Sequence, residues 1–111
     1  MRSFFLVLRQ IFKNMIIRNK KRLAKYSQMH SGINNSLQRW INIVEAAKWK
    51  SHNELKMDFP SADYIGNERY IFNIQGNNYR VMAVVVFIGN YLNIRFIGSH
   101  AEYDKIDSGT I

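Results

Sequence analysis

Arg69, Arg80 and Arg95 fall in a stretch of alternating β-branched and aromatic residues whose one acid, Glu68, stands at its edge. Guanidinium groups are permanently charged and fork onto two oxygens at once. Several of them converging without carboxylates make a natural phosphate site. The bland alternative is a solvated face on which each arginine pairs with a local acid. His100 stands where that stretch ends, and imidazole exchanges a proton near neutrality. Tyr103 follows three residues later, which on a helix places it on the same side as His100. Together these residues suit the binding of a phosphate ester with proton transfer at its oxygens. Other chemistries are excluded or weak. The absence of cysteine removes disulfides, a thiolate zinc site and a cysteine nucleophile. His30, His52 and His100 show no metal-ligand spacing, so neither metal nor cofactor is expected. Gly76 and Gly89 read as turn glycines, not as a phosphate loop.

The elements that must position these residues follow from periodicity. Residues 69–75, 79–87 and 91–97 read as strands, joined by Gly76-Asn77 and Gly89-Asn90 as two-residue type II′ turns. That pairing puts Asn73, Arg80 and Ser99 in one cross-strand row, beside His100, with Asn73 placed to orient Arg80. Arg69, Val84 and Arg95 form a second row. Tyr70, Phe72, Ile74, Val81, Ala83, Val85, Leu92, Ile94 and Phe96 collect on the other face as a core that helices must cover. Asn19 reads as the N-cap of a basic helix over Lys20–Met29. Ile33, Leu37, Trp40, Ile41 and Val44 make one apolar face of a second helix running to about Lys48. Ser51-His52-Asn53-Glu54 is a capping-box pattern opening a short helix that Phe59-Pro60 stops. A last short helix starts at Ala101. Helices followed by an antiparallel meander make an α+β chain.

A chain of 111 residues is one domain, and its net charge of +8 with pI near 10 points to an anionic partner. The excess is local: residues 1–25 carry eight basic residues and no acid, and the remainder is neutral. The apolar run Phe4–Leu8 is too short for a signal-peptide core or a membrane span. An amphipathic helix lying on a membrane surface is the competing reading of this segment. Met15-Ile16-Ile17-Arg18 reads as a natural chain start on a short strand. Residues 1–14 are then an extension and residues 15–111 the functional domain. Lys20, Lys21, Arg22 and Lys25 suit either an RNA backbone or an acidic protein segment. Lys48, Lys50 and Lys56 surround the short helix, either tracking an anionic backbone or forming a solvated face. Trp49 either plugs the helix–sheet seam or stacks on a base. His30 and His52 read as surface residues.

Three stretches carry a resemblance: Ala46–Ala62, Glu68–Val85 and Ile94–Asp107. The sharpest parts are R-x-x-F-N-I-x-G-N-x-Y-R from Arg69 to Arg80, and R-F-x-G-x-H-A-E-Y-D from Arg95 to Asp104. Over roughly residues 15–111 the chain resembles the HigB family of RelE-type toxins, loosely in the helical region Lys20–Ala47. The resemblance implies a RelE-like fold, with N-terminal helices packed on an antiparallel sheet. It also implies cleavage of mRNA on translating ribosomes and a HigA-type helix-turn-helix antitoxin. The expected setting is cytoplasmic, with no membrane partner. Cleaving RNA without a metal needs a base for the ribose 2′-hydroxyl, an acid for the 5′-oxygen and cations for the phosphate. Arg80 is the candidate for holding the scissile phosphate and His100 for acid or base. Tyr103 either donates to the phosphate or stacks on a base. Arg69 and Arg95 are further phosphate ligands or framework residues. Glu102 is an available carboxylate base or a helix-start acid. The alternative function is a non-catalytic RNA- or ribosome-binding module using the same arginine face.

Overall fold

The computed structural model describes residues 13–106 and 111. It has a five-stranded sheet covered on one face by helices. In chain order the elements are β1 (Ile16–Arg18), α1 (Lys21–Met29), a 3₁₀ turn (Ser31–Ile33), α2 (Asn34–Ala46), α3 (His52–Asp58), β2 (Asp63–Tyr64), β3 (Arg69–Ile74), β4 (Tyr79–Val86), β5 (Tyr91–Ser99) and α4 (His100–Tyr103). The sheet order is β1-β5-β4-β3-β2, antiparallel except for the β1–β5 pair. This is the expected α+β architecture. The parallel pairing of β1 and the two-residue strand β2 are additions to it.

The helices form where periodicity places them. Leu37, Trp40, Ile41 and Val44 are the buried face of α2. Trp40 meets the ring of Phe72 on β3 at 5.2 Å, and Phe59 meets the same ring at 5.2 Å from the end of α3. Each such side chain, fully buried, contributes about 1.5–3 kcal/mol. Ser51 caps α3 as expected, its hydroxyl accepting from the Glu54 amide. Trp49 is buried and its Nε1 donates to Asp58 at 2.8 Å, so it plugs the helix–sheet seam. The N-cap expected of Asn19 is not made. Its amide donates to Asn93 at 2.6 Å, its φ is +62°, and α1 starts one residue later with no side-chain cap.

The first hairpin has the expected register, with Arg69 opposite Val84 and Asn73 opposite Arg80. The second does not. Its turn centres on Ile88-Gly89, with Asn90 at φ +57° and its amide donating to Phe87. Asn90 is buried because it holds the chain entering β1: its side chain donates to the Lys13 carbonyl, and its own carbonyl accepts from Ile16. Val84 therefore pairs with Asn93, not Arg95. A bulge follows between Met82 and Ala83, leaving Arg95 as the extra residue on β5. A bulge inverts the alternation beyond it. Phe96 consequently shares a face with Met82, and Ile97 packs against the core in the place expected of Phe96. Gly98, not Ser99, stands opposite Arg80, while Ser99 pairs with Tyr79.

Candidate functional site

The face of the sheet away from the helices carries Arg69, Ile71 and Asn73 on β3, then Arg80, Met82 and Val84 on β4. Arg80 lies between Asn73 and Gly98 in register. Its guanidinium carbon stands 4.9 Å over the Tyr103 ring, and that ring lies 6.1 Å from Phe96. The Nε of Arg80 is buried and has no hydrogen-bond partner among the described residues. An unmatched buried donor costs about 1–3 kcal/mol, and a native fold rarely keeps one without a reason. Arg69 shows the same feature at Nε, although its terminal nitrogen donates to the Asn67 carbonyl at 3.1 Å. Arg95 is exposed in the bulge, and its carbonyl accepts from Arg22 on α1 at 3.0 Å. None of the three arginines pairs with a carboxylate among the described residues. The expected row of Arg69 with Arg95 is not formed, since the bulge moves Arg95 toward the Arg80 end.

α4 delivers the remaining groups. Ser99 caps it, its hydroxyl accepting from the Glu102 amide while the Glu102 carboxylate accepts from the Ser99 amide. Gly98 makes this approach possible: a Cβ there would stand 2.6 Å from the Phe96 ring and 3.2 Å from the Glu102 Cβ. Glu102 also accepts from the Tyr26 hydroxyl at 2.9 Å. These donors, the Ser99 amide first, hold its carboxyl below the ordinary carboxylate range, while burial and Glu102 push the Tyr26 phenol upward. One oxygen of the carboxylate expected as an available base, Oε1, thus serves as a clamp, taking both the Ser99 amide and the Tyr26 hydroxyl. His100 is exposed, and its Nδ1 lies 3.1 Å from Asp104. Its backbone amide donates to the Asn78 carbonyl, two residues before Arg80 on the neighbouring strand. An imidazole whose Nδ1 faces a carboxylate has Nε2 left for exchange with a substrate.

The other expected ligands are placed elsewhere. Asn73 stands opposite Arg80 in the ladder, but among the described residues no side-chain hydrogen bond joins them; the Asn73 amide reaches toward the Ser61 carbonyl at 3.5 Å. Lys48, Lys50 and Lys56 belong to the layer that covers the opposite face of the sheet. The Lys56 ammonium donates to the Pro60 and Ala62 carbonyls, closing the turn after α3. Lys48 and Lys50 are exposed. His52 is exposed, as expected of a surface residue, and its Nδ1 lies 2.7 Å from the Tyr70 hydroxyl. His30 is half-buried and stacks on Tyr26 with ring centroids 4.0 Å apart. On α1, Lys20 pairs with Glu45, while Lys21, Arg22, Lys25, Met29, Phe96 and Ile97 line a groove of about 730 Å³ against β5.

A family model described as HigB_toxin, the RelE-like toxic component of a toxin–antitoxin system, matches residues 33–106. The chain belongs to the HigB family. The matched residues contain Arg69, Arg80, Arg95, His100 and Tyr103, and they leave out β1 and α1. Among curated proteins, the chain is 29% identical over 73 residues to an mRNA interferase HigB of Escherichia coli O6:H1, covering 64% of this chain and 71% of that protein. It is 38% identical over 66 residues to the mRNA interferase toxin HigB of Escherichia coli K12, covering 57% and 62%. The mRNA interferase HigB of Shigella flexneri is similar to the same extent.

For this HigB-family chain the structure adds residues that motif reading passed over. Asp104 orients His100, and its i, i+4 spacing on the C-terminal helix was the available signal. Tyr26 lies 76 residues from Glu102, and no local pattern announces that contact. Among the described residues no helix is long and apolar enough to cross a membrane.

Proposed function

We propose that the chain is an endoribonuclease toxin that cleaves mRNA on the ribosome, with its functional domain at residues 15–111 and Arg80 holding the scissile phosphate. The observation that carries the reading is Arg80 itself: a guanidinium seated on Tyr103 that, among the described residues, meets no carboxylate and leaves a buried N–H unmatched. Phosphate oxygens are acceptors of the right charge and geometry for that group. In the reaction the ribose 2′-oxygen attacks phosphorus and gives its proton to a base. The bond from phosphorus to the 5′-oxygen breaks, and that oxygen takes a proton from an acid. The products are a 2′,3′-cyclic phosphate and a 5′-hydroxyl. His100, oriented by Asp104, carries one of the two protons, and Tyr103 donates to the phosphate as charge builds on it. Arg69 and Arg95 supply further positive charge on the same face.

The names of the relatives, mRNA interferase HigB, support this assignment of substrate. The antitoxin is of the HigA helix-turn-helix type, and the groove beside α1 suits it. Met29, Phe96 and Ile97 give its lining an apolar part, and Lys21, Arg22 and Lys25 a basic one. An acidic amphipathic segment complements both. The setting is the cytoplasm, where ribosomes and mRNA meet.

The test is to incubate the purified chain with translating ribosomes and a defined mRNA. Discrete 5′-hydroxyl ends are expected, and His100→Ala lowers their rate by about 10²–10⁴-fold. Intact mRNA with the protein still bound to ribosomes overturns the reading in favour of a non-catalytic binding module.

A further inference from the structure

We propose that Arg18 and Tyr91 form a second RNA-binding subsite, which stacks one nucleobase and pairs one phosphate a few nucleotides away from the phosphate held by Arg80. The guanidinium carbon of Arg18 stands 3.7 Å over the Tyr91 ring. Both side chains belong to the face of the sheet opposite the helical core, the face that also carries Arg80, because Ile17 and Leu92, which alternate with them and pair with each other, are buried in the core. Arg18 is exposed and pairs with no carboxylate among the described residues. The Tyr91 ring is seated against Gly89, where an added Cβ would stand 2.9 Å from it. The ring therefore holds the Arg18 guanidinium in place, and the outer face of that guanidinium is the surface on which a base stacks.

The position of this pair on β5 gives it meaning. From Tyr91 the strand runs through Asn93, which pairs with Arg18, to Arg95 in the bulge and on to Gly98 opposite Arg80. The distance is roughly 20 Å at the usual strand rise. An aromatic–arginine stack stands at each end of this line, Arg18 on Tyr91 and Arg80 on Tyr103, with Arg95 between them. β5 itself carries no acidic residue. Cations interleaved with aromatic rings along one strand are what a single-stranded nucleic acid needs, since every base has a face to stack and every step a charge to match. A guanidinium held by a ring on one side keeps its edge N–H groups for phosphate. The proposal rests on the reading that the Arg80 end takes RNA, and it extends the contact beyond the residues matched by the family model.

The experiment measures fluorescence anisotropy at low salt with single-stranded RNAs blocked against cleavage by 2′-O-methylation. One RNA is long enough to run from Arg80 past Tyr91, and the other ends near Arg95. Tyr91→Ala is expected to weaken the long RNA roughly 5- to 100-fold, the worth of one stacked base, and to leave the short one unchanged. Arg18→Ala should also reduce the salt dependence of the long RNA by about 0.7, one single-strand phosphate contact. Arg18 is exposed, so its variant decides the matter if Tyr91→Ala melts early. Unchanged binding of the long RNA, equal losses on both RNAs in a variant with a normal melting temperature, or no binding of either RNA by the wild type overturns the proposal. Failure of the cleavage reading shows separately, as mRNA left intact on ribosomes while the preference for the long RNA persists.

Discussion

Replacing Arg80 by methionine should separate activity from stability. Methionine keeps an unbranched stem beside Tyr103 and removes every donor of the guanidinium. In the folded chain the Arg80 side chain makes no hydrogen bond among the described residues, and its buried Nε goes unmatched. That mismatch costs about 1–3 kcal/mol. The stack on Tyr103 offsets it by about 0.5–2 kcal/mol, the range for a cation over an aromatic ring. The two effects nearly cancel, so the variant should unfold within about 1 kcal/mol of the wild type. For a domain of this size that is a melting shift of no more than about 4–8 °C in either direction. Cleavage loses the donors that meet the charge developing on the phosphate, a loss of about 10²–10³-fold in the chemical step. The assay pairs a thermal melt with single-turnover cleavage of mRNA on translating ribosomes. A melting temperature lowered by tens of degrees would mean that Arg80 holds the sheet together, and its role in the site would fall. An unchanged rate in a stable variant would remove Arg80 from the chemistry altogether.

Glu102→Gln weakens the clamp on α4. The Glu102 carboxyl is held below its ordinary value near 4.5 in the folded chain, so the stability it gives is fully present above that pH. It is lost as pH falls through the lowered folded value; melts of wild type and variant should therefore differ at pH 7 and converge in strong acid. A constant difference across that range would show that the charge of Glu102 is irrelevant. Gly98→Ala inserts a methyl against the Phe96 ring and the Glu102 Cβ. It should displace the Tyr103–Arg80 stack and cost about 1–3 kcal/mol by overpacking, read as an early melt with reduced cleavage. Lys56→Ala removes two bonds from the turn after α3 and should cost about 1.5–3 kcal/mol, with the cleavage rate of the folded fraction unchanged. A reduced rate in that folded fraction would return Lys56 to the substrate.

Local pattern carried the reading of this chain as far as local pattern determines structure. The alternation from Arg69 to Arg80 sets its own register across a tight turn, and Asn73 faces Arg80 in register as expected. The capping serine of α3 and the apolar stripe of α2 are likewise properties of a few adjacent residues. The second hairpin departs from its expected register because Asn90 answers to Lys13 and Ile16, which are distant in sequence. With the turn displaced, the bulge at Arg95 follows, and strict alternation then assigns Phe96 and Ile97 to the wrong faces. The site divides in the same way. Arg80 was visible as a cation in a strand poor in acids, whereas the loss of Lys56 to two carbonyls depends on the path of a turn that no motif specifies. Glu102 was visible as an acid at a helix start, three residues after its capping serine, whereas the second donor to its Oε1, the Tyr26 hydroxyl, comes from a distant helix.

That last contact divides labour along the chain. His100 and Tyr103 ride on a single helical turn, too short to persist alone. What holds this turn in place includes a hydroxyl from α1, upstream of the segment that carries the family's signature. A fragment starting at Ile33 would keep every residue assigned to the chemistry and lose Tyr26, together with the Arg22 bond to the Arg95 carbonyl. The reactive groups and their fastening are thus encoded in separate stretches. Toxicity would be a property of their association, and the chain could be divided between α1 and α2 into two pieces that are harmless apart.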